Sequence, residues 1–348
     1  MRTPLGWAAA RWELGPRALR WATSAALAVS VLIVLGGATV RVTGSGLGCP
    51  EWPTCDGTNV IQLVPDSIHL LIEQTNRMIT GLLIVAVGWA IIAARLQRPR
   101  DRMLTRLAWS MFWLVIANAI AGGMSVWYDL NPWIVATHFL LAMGLLACAT
   151  FTWHRARWHG GDGPRPSATS RAIAWALVVA TVVLIAAGTL VTGSGPHAGD
   201  SSDVPRMGFD WNVVVWVHAV FAVLVLALAA VLAFRLRTEE GGRLALGRVG
   251  LFLIVILVQM AVGVVQSLTA LPELLVIGHV VLAALVWVGA LRVLLDTDPQ
   301  LWSVREHQLV RGGAGDAGFE TRPAVAPQPA ESAESAGAAH PAESSGRL

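Results

Sequence analysis

Apolar residues fall in eight long blocks, at 21–40, 70–94, 104–126, 132–152, 172–191, 213–233, 246–268 and 272–295, with short polar stretches between them. Each block holds about 20 residues or slightly more, enough helix to cross roughly 30 Å of hydrocarbon. A backbone in lipid must satisfy its N–H and C=O groups within its own segment, so each block is predicted to be a helix. The dyad alternation of a membrane barrel is absent. The pattern therefore predicts an all-α membrane protein with eight transmembrane helices. The first block is longer than the apolar core of a secretory signal, and no small-x-small cleavage site follows it, so it counts as a span. Beyond about Pro299 the chain is rich in Ala, Pro, Glu, Ser and Gly without periodicity, and 296–348 is expected to be a disordered tail.

Composition adds support. Charged residues make up 14% of the chain, where a soluble domain carries about 25%. All 25 basic residues are arginine, which reads as codon bias and not as chemistry. The net charge of +3 points to no nucleic-acid partner, because the arginines sit in short loops between apolar blocks. Their placement sets the orientation. Arginines gather in 1–20, 95–106, 155–171 and 235–248. The alternate loops carry Asp56, Asp66, Asp129, Asp200, Asp203 and Asp210, with Arg41 and Arg206 as exceptions. The positive-inside rule then puts both termini in the cytoplasm of a plasma-membrane protein.

The chain also repeats itself. Thr-Gly-Ser-Gly closes the first block at 43–46 and the fifth at 192–195. Ala-Gly-Gly at 121–123, Pro132 and His138 correspond to Val-Gly-Val at 262–264, Pro272 and His279. The expected organisation is two parallel four-helix repeats, 21–153 and 172–295, joined by a cytoplasmic linker at 154–171. On this frame His138, His218 and His279 all lie about 7–11 Å below the outer surface, on helices that enter from outside. A lone membrane histidine usually satisfies a backbone carbonyl. Three at one depth, two of them at matching places in the repeats, point to a functional layer. Two imidazoles on neighbouring helices suit haem iron, whereas zinc or copper would ask for further ligands at that depth. His218 and His279 read as the two ligands of one haem.

The first half departs from this. Counting into the second block and allowing a shift of one residue, the slot matching His218 falls at Asn76, flanked by Glu73 and Arg77, with His69 one turn before Glu73. A carboxylate and a guanidinium at membrane depth either serve chemistry or form a self-neutralising i,i+4 pair. The asymmetry suggests that one half keeps a cofactor and the other reacts. Cys49 and Cys55 frame a short outer loop and are expected to form a disulfide on the oxidising side, closing the mouth of the first bundle. A redox role is weaker, since the spacing is not Cys-x-x-Cys. Cys148 reads as a packing residue, His197 stands in the corresponding second-half loop, and His154, His159, His307 and His340 receive no role.

The run Gly-Gly-Ala-Thr-Val-Arg-Val-Thr-Gly-Ser-Gly-Leu-Gly-Cys-Pro-Glu-Trp-Pro-Thr-Cys at 36–55, Glu-Gln-Thr-Asn-Arg at 73–77, the His138 segment and the second Thr-Gly-Ser-Gly together resemble the haem A synthase family, over about 20–295. The resemblance implies oxidation of the C8 methyl of haem O to the formyl group of haem A. Water is the implied oxygen source, and electrons leave through a bound haem b. It implies haem b on His218 and His279, and a substrate-haem site around His138, Asn76 and Arg77, with Glu73 catalytic. Haem O synthase and terminal oxidase assembly factors are the partners it suggests, by analogy. Many family members carry His where this chain has Asn76, which leaves His138 as the implied ligand to the substrate iron. The second cysteine pair of some members is missing too. The competing readings are a non-enzymatic di-haem electron-transfer cytochrome and a transporter built on parallel repeats. Glycines near the span ends, and not at midplane, weigh against the transporter.

Overall fold

The computed structural model describes residues 3–59, 67–158, 164–197, 199–200 and 203–299. All eight predicted spans are helices, with ends within a few residues of expectation: α2 (Pro16–Val42), α3 (Ile68–Arg95), α4 (Arg102–Trp127), α5 (Pro132–Arg155), α6 (Ala168–Ser194), α7 (Trp211–Leu236), α8 (Arg243–Leu268) and α9 (Glu273–Thr297). The block pattern did not anticipate α1 (Pro4–Arg11), a short helix started by the Thr3 side chain and Pro4. Most of the expected tail lies outside the described residues, as do His159, His307 and His340.

The helix starts are set by polar caps at the block edges. Ser67, Asp101, Ser167 and Asp210 each accept from a backbone N–H two or three residues into the following helix. These bonds satisfy donors that would otherwise be unpaired where a helix enters lipid. Large apolar side chains such as Trp216, Phe234, Leu268 and Leu274 lie exposed on the outer faces, as lipid contact requires. The chain is a multi-pass membrane protein.

The helices pack as four hairpins: α2 with α3, α4 with α5, α6 with α7, α8 with α9. In each half the first helix also packs on the fourth and the second on the third, which gives two similar four-helix bundles. Between them α2 lies along α9, α5 along α9 and α5 along α6, and Trp287 Nε1 donates to the Met143 carbonyl at 2.9 Å. The repeat extends to the backbone. Asp129 and Leu130 after α4 take left-handed φ values of 47° and 55°; Ala270 and Leu271 after α8 take 58° and 59°. Leu130 N–H closes on Ser125 O at 2.8 Å and Leu271 N–H on Gln266 O at 2.9 Å. Such pairs are strained for residues with a Cβ. Their presence at equivalent places marks one hairpin used twice.

One end of the bundle carries the arginine-rich loops. There Asp101 accepts from Arg155 at 2.6 Å, and Asp296 accepts from Arg248 at 2.7 Å. His154, at the last turn of α5, is buried 4.0 Å from Asp296. The opposite end carries the cysteines and the Thr-Gly-Ser-Gly segments, and the three histidines of the layer lie toward it.

Candidate functional site

A recurrent cradle positions the histidines, and glycine makes it. Gly36, Gly122, Gly188 and Gly263 each lie five or six residues before the disulfide-end terminus of α2, α4, α6 and α8. Each faces a polar side chain of the next helix in the chain, with Ile79 beside Asn76 at Gly36. A methyl group on Gly122, Gly188 or Gly263 would stand 3.3, 3.2 or 3.0 Å from Cε1 of His138, His218 or His279 respectively. On Gly36 it would stand 2.5 Å from Asn76 Oδ1. So Asn76 fills in the first half the position that imidazole fills three times elsewhere.

The missing Cβ lets the ring lie against helix backbone. The carbonyl four residues before each of these glycines already takes the glycine's own N–H. Leu184 O, in that place before Gly188, lies 3.1 Å from His218 Nδ1. Asn118 and Gln259 hold the same place before Gly122 and Gly263 and turn backbone carbonyls toward His138 and His279. There the sealed Nδ1 atoms stop short of full hydrogen-bond geometry. At His218 an Nδ1–H directed at the Leu184 carbonyl would fix the tautomer and leave Nε2 with the lone pair a metal needs. Gln259 also donates to the His279 carbonyl at 3.0 Å.

His218 and His279 face each other, with ring centroids 6.3 Å apart and planes at 63°. Two imidazoles on opposite sides of one iron, with metal–nitrogen bonds of about 2 Å, place their centroids roughly 6 Å apart. The pair therefore fits a bis-histidine haem. Among the described residues no group of three or more His, Cys, Asp or Glu side chains converges on one point, so the donor set suits a macrocycle that brings its own four nitrogens.

Around Asn76 the surroundings differ. Cys49 and Cys55 form the expected disulfide, and both are fully buried against Leu70 at the start of α3. Glu73 is 6% exposed, and its two oxygens are engaged separately. Oε2 accepts from Cys49 N–H at 2.6 Å, while Oε1 accepts from Arg77 at 2.7 Å. Arg77 also donates to the carbonyls of Thr54 and Glu51, both at 3.1 Å. The i,i+4 pair thus exists, and it also straps the disulfide loop onto α3. Trp52 of that loop lies over Gly123 of α4, where a Cβ would meet the indole at 2.6 Å, and edge-on to Trp127. Asn76 Oδ1 is buried and without a hydrogen-bond partner.

His69 does not reach toward Asn76; its Nδ1 is 3.0 Å from Ser45 Oγ. His197 Nε2 meets the Leu271 carbonyl at 3.1 Å. Asp56, in the loop next to Cys55, accepts from Thr58 and Asn59, which holds its carboxyl below the usual range. Of the residues named from the sequence, the structure brings His218 to His279 and Glu73 to Arg77 and joins Cys49 to Cys55, while His138 and Asn76 each lie on a glycine. Sequence reasoning registered Gly122 and Gly263 as repeat markers without seeing what they face, and it missed Gly36, Gly188 and Trp52. A small residue one turn from a helix end, opposite a polar position on the next helix, was the available signal.

Comparison with known proteins bears on this arrangement. The model of the family described as Cytochrome oxidase assembly protein (COX15-CtaA) matches residues 19–291. The chain is 30% identical over 126 residues to the "Heme A synthase" of Staphylococcus saprophyticus, covering 36% of this chain and 41% of the relative. It is 32% identical over 130 residues to those of Lysinibacillus sphaericus and Geobacillus kaustophilus, covering 36% of this chain in both cases and 41% and 40% of the relatives. In each case the match spans about two fifths of the curated relative.

Proposed function

Since the chain belongs to the cytochrome oxidase assembly protein family that includes the haem A synthases, we propose that it oxidises the C8 methyl group of haem O to the formyl group of haem A in the plasma membrane, with both termini cytoplasmic and the disulfide end outside. The observation that carries this reading is the facing pair His218 and His279, set on two glycine cradles at a spacing that suits one iron.

Conversion of the methyl group with one water releases four protons and four electrons. His218 and His279 would hold haem b through Nε2, and that group would supply the one-electron chemistry by which those electrons leave. The remaining tasks belong to side chains. His138 takes the iron of the substrate from its cradle on α4. Asn76 faces the same bundle with an amide, a poor iron ligand, so His138 would be the protein ligand that this layer offers the substrate. Glu73, one turn nearer the disulfide end, accepts protons leaving the oxidised carbon. Arg77 and the Cys49 N–H hold its two oxygens in place. The disulfide loop and Trp52 cover the site and limit water.

The test is to purify the protein from membranes that also make haem O, extract the haems, and identify each by chromatography and mass. Haem O or haem A beside haem b is expected. Haem b alone would replace this reading with an electron-transfer cytochrome, and no haem at all would overturn the ligand assignment.

A further inference from the structure

Arg41 and Arg206 break the charge pattern of their end of the molecule, and they converge on one helix terminus. Arg41, near the end of α2, reaches to α6 and donates from Nη2 to the Thr192 carbonyl at 2.8 Å. Arg206, in the segment before α7, donates to the Gly195 carbonyl. The two guanidinium groups are close enough to repel. Cations at a helix C-terminus are ordinary caps for its free carbonyls. A cap does not explain the rest of the arrangement. Arg41 Nε is sealed from solvent and has no hydrogen-bond partner. Among the described residues no carboxylate lies within ion-pair range of Arg41. A largely buried guanidinium with no carboxylate partner, beside a second guanidinium, is costly unless an anion joins it.

The register on α6 indicates which anion. Gly188 of α6 backs the His218 ring, and Thr192, which receives Arg41, lies four residues further along, about 6 Å toward the disulfide end. An iron porphyrin held between His218 and His279 would carry both of its carboxylates on one edge, and that edge, turned toward the disulfide end, would bring them toward Thr192. Gly46 N–H bonds to Gly199 O at 2.8 Å, so loops of the two halves meet close to this position. Resting on the haem reading above, we propose that Arg41, assisted by Arg206, binds a carboxylate of the haem on His218 and His279. The first half of the chain would then supply the anion anchor for the cofactor of the second.

The test titrates haem-depleted protein in detergent with ferric protohaem and, separately, with its dimethyl ester, whose carboxylates are blocked. The low-spin Soret spectrum reports ligation by the histidine pair. Wild type is expected to prefer the free diacid by about tenfold or more, the size of a charge-assisted hydrogen bond. Arg41→Met brings that preference close to one while keeping the low-spin spectrum, and Arg41→Lys restores part of it. An undiminished preference in Arg41→Met overturns the inference, because a helix cap or a lipid-phosphate site would leave the ratio alone. A lipid-phosphate site would also show as an anionic-lipid adduct lost from Arg41→Met in native mass spectrometry. If Arg41→Met does not fold, Arg206→Ala must lower the preference, and an unchanged ratio there overturns the inference equally. Wild type that forms no low-spin haem spectrum overturns the haem reading itself, a failure visible before any ratio is taken.

Discussion

Both halves cover the disulfide end of their bundle, but they do so by different means. Over the second bundle, Met207 lies on Gly193 of α6, where a Cβ would meet its sulfur at 2.6 Å, and its N–H bonds to the Gly193 carbonyl at 2.9 Å. Over the first, a disulfide loop is strapped down by the Glu73–Arg77 pair and by Trp52 on Gly123. Beneath the first cover stand an amide and an imidazole; beneath the second stand two imidazoles. A shared frame with a shared cradle thus carries two different layers, which differ by one side chain and by the loop above it. A pair of imidazoles saturates an iron and suits a resident cofactor. An imidazole with an amide, next to a buried carboxylate, suits a haem that has to react and leave.

That contrast can be broken at three places, in decreasing order of effect. Glu73→Gln keeps the shape and one acceptor oxygen, so it can retain the bond from Cys49 N–H or from Arg77 but not both, and it removes the base. Haem A formation is expected to fall by roughly 10²–10⁴-fold, the usual contribution of a positioned proton acceptor, with the haem content of the second half unchanged. Product analysis by chromatography checks it, and undiminished conversion would take Glu73 out of the chemistry and leave it as a strap. Gly263→Leu drives a side chain into the place of the His279 ring. Overpacking of this kind costs about 1–3 kcal/mol, so the low-spin haem of the second half should be lost or weakened, while the matching change at Gly122 should affect only the first half. Asn76→His gives the first half the same ligand layer as the second. The substrate haem should shift from high-spin toward low-spin in the optical spectrum, and turnover should drop as a second imidazole reaches the iron. A spectrum that does not respond would place Asn76 away from the iron.

Much of this architecture was legible in the sequence because lipid allows one backbone solution. Long apolar blocks had to be helices, and arginine clusters marked alternate loops. The histidines stood out because ionisable groups are rare at that depth. The glycine cradles were not legible. A glycine's partner lies on another helix, and Gly36 and Gly188 do not share a register when the two Thr-Gly-Ser-Gly segments are aligned. The double use of Glu73, as strap and candidate base, was hidden for a similar reason, since Cys49 N–H lies 24 residues away. Arg41 had a visible signal, its violation of the charge pattern, but its target on α6 appears only once the halves are packed together. The helix α1 was missed because, at eight residues, it is too short to form one of the long apolar blocks that identified the others.

The most direct test of the account is electron paramagnetic resonance of the oxidised protein as wild type, His218→Ala, His279→Ala and His138→Ala. The account predicts a low-spin bis-histidine signal in wild type that disappears in His218→Ala and His279→Ala and persists in His138→Ala. Persistence of the signal in both second-half variants, or its loss in His138→Ala, would contradict the assignment of the resident haem to the second half.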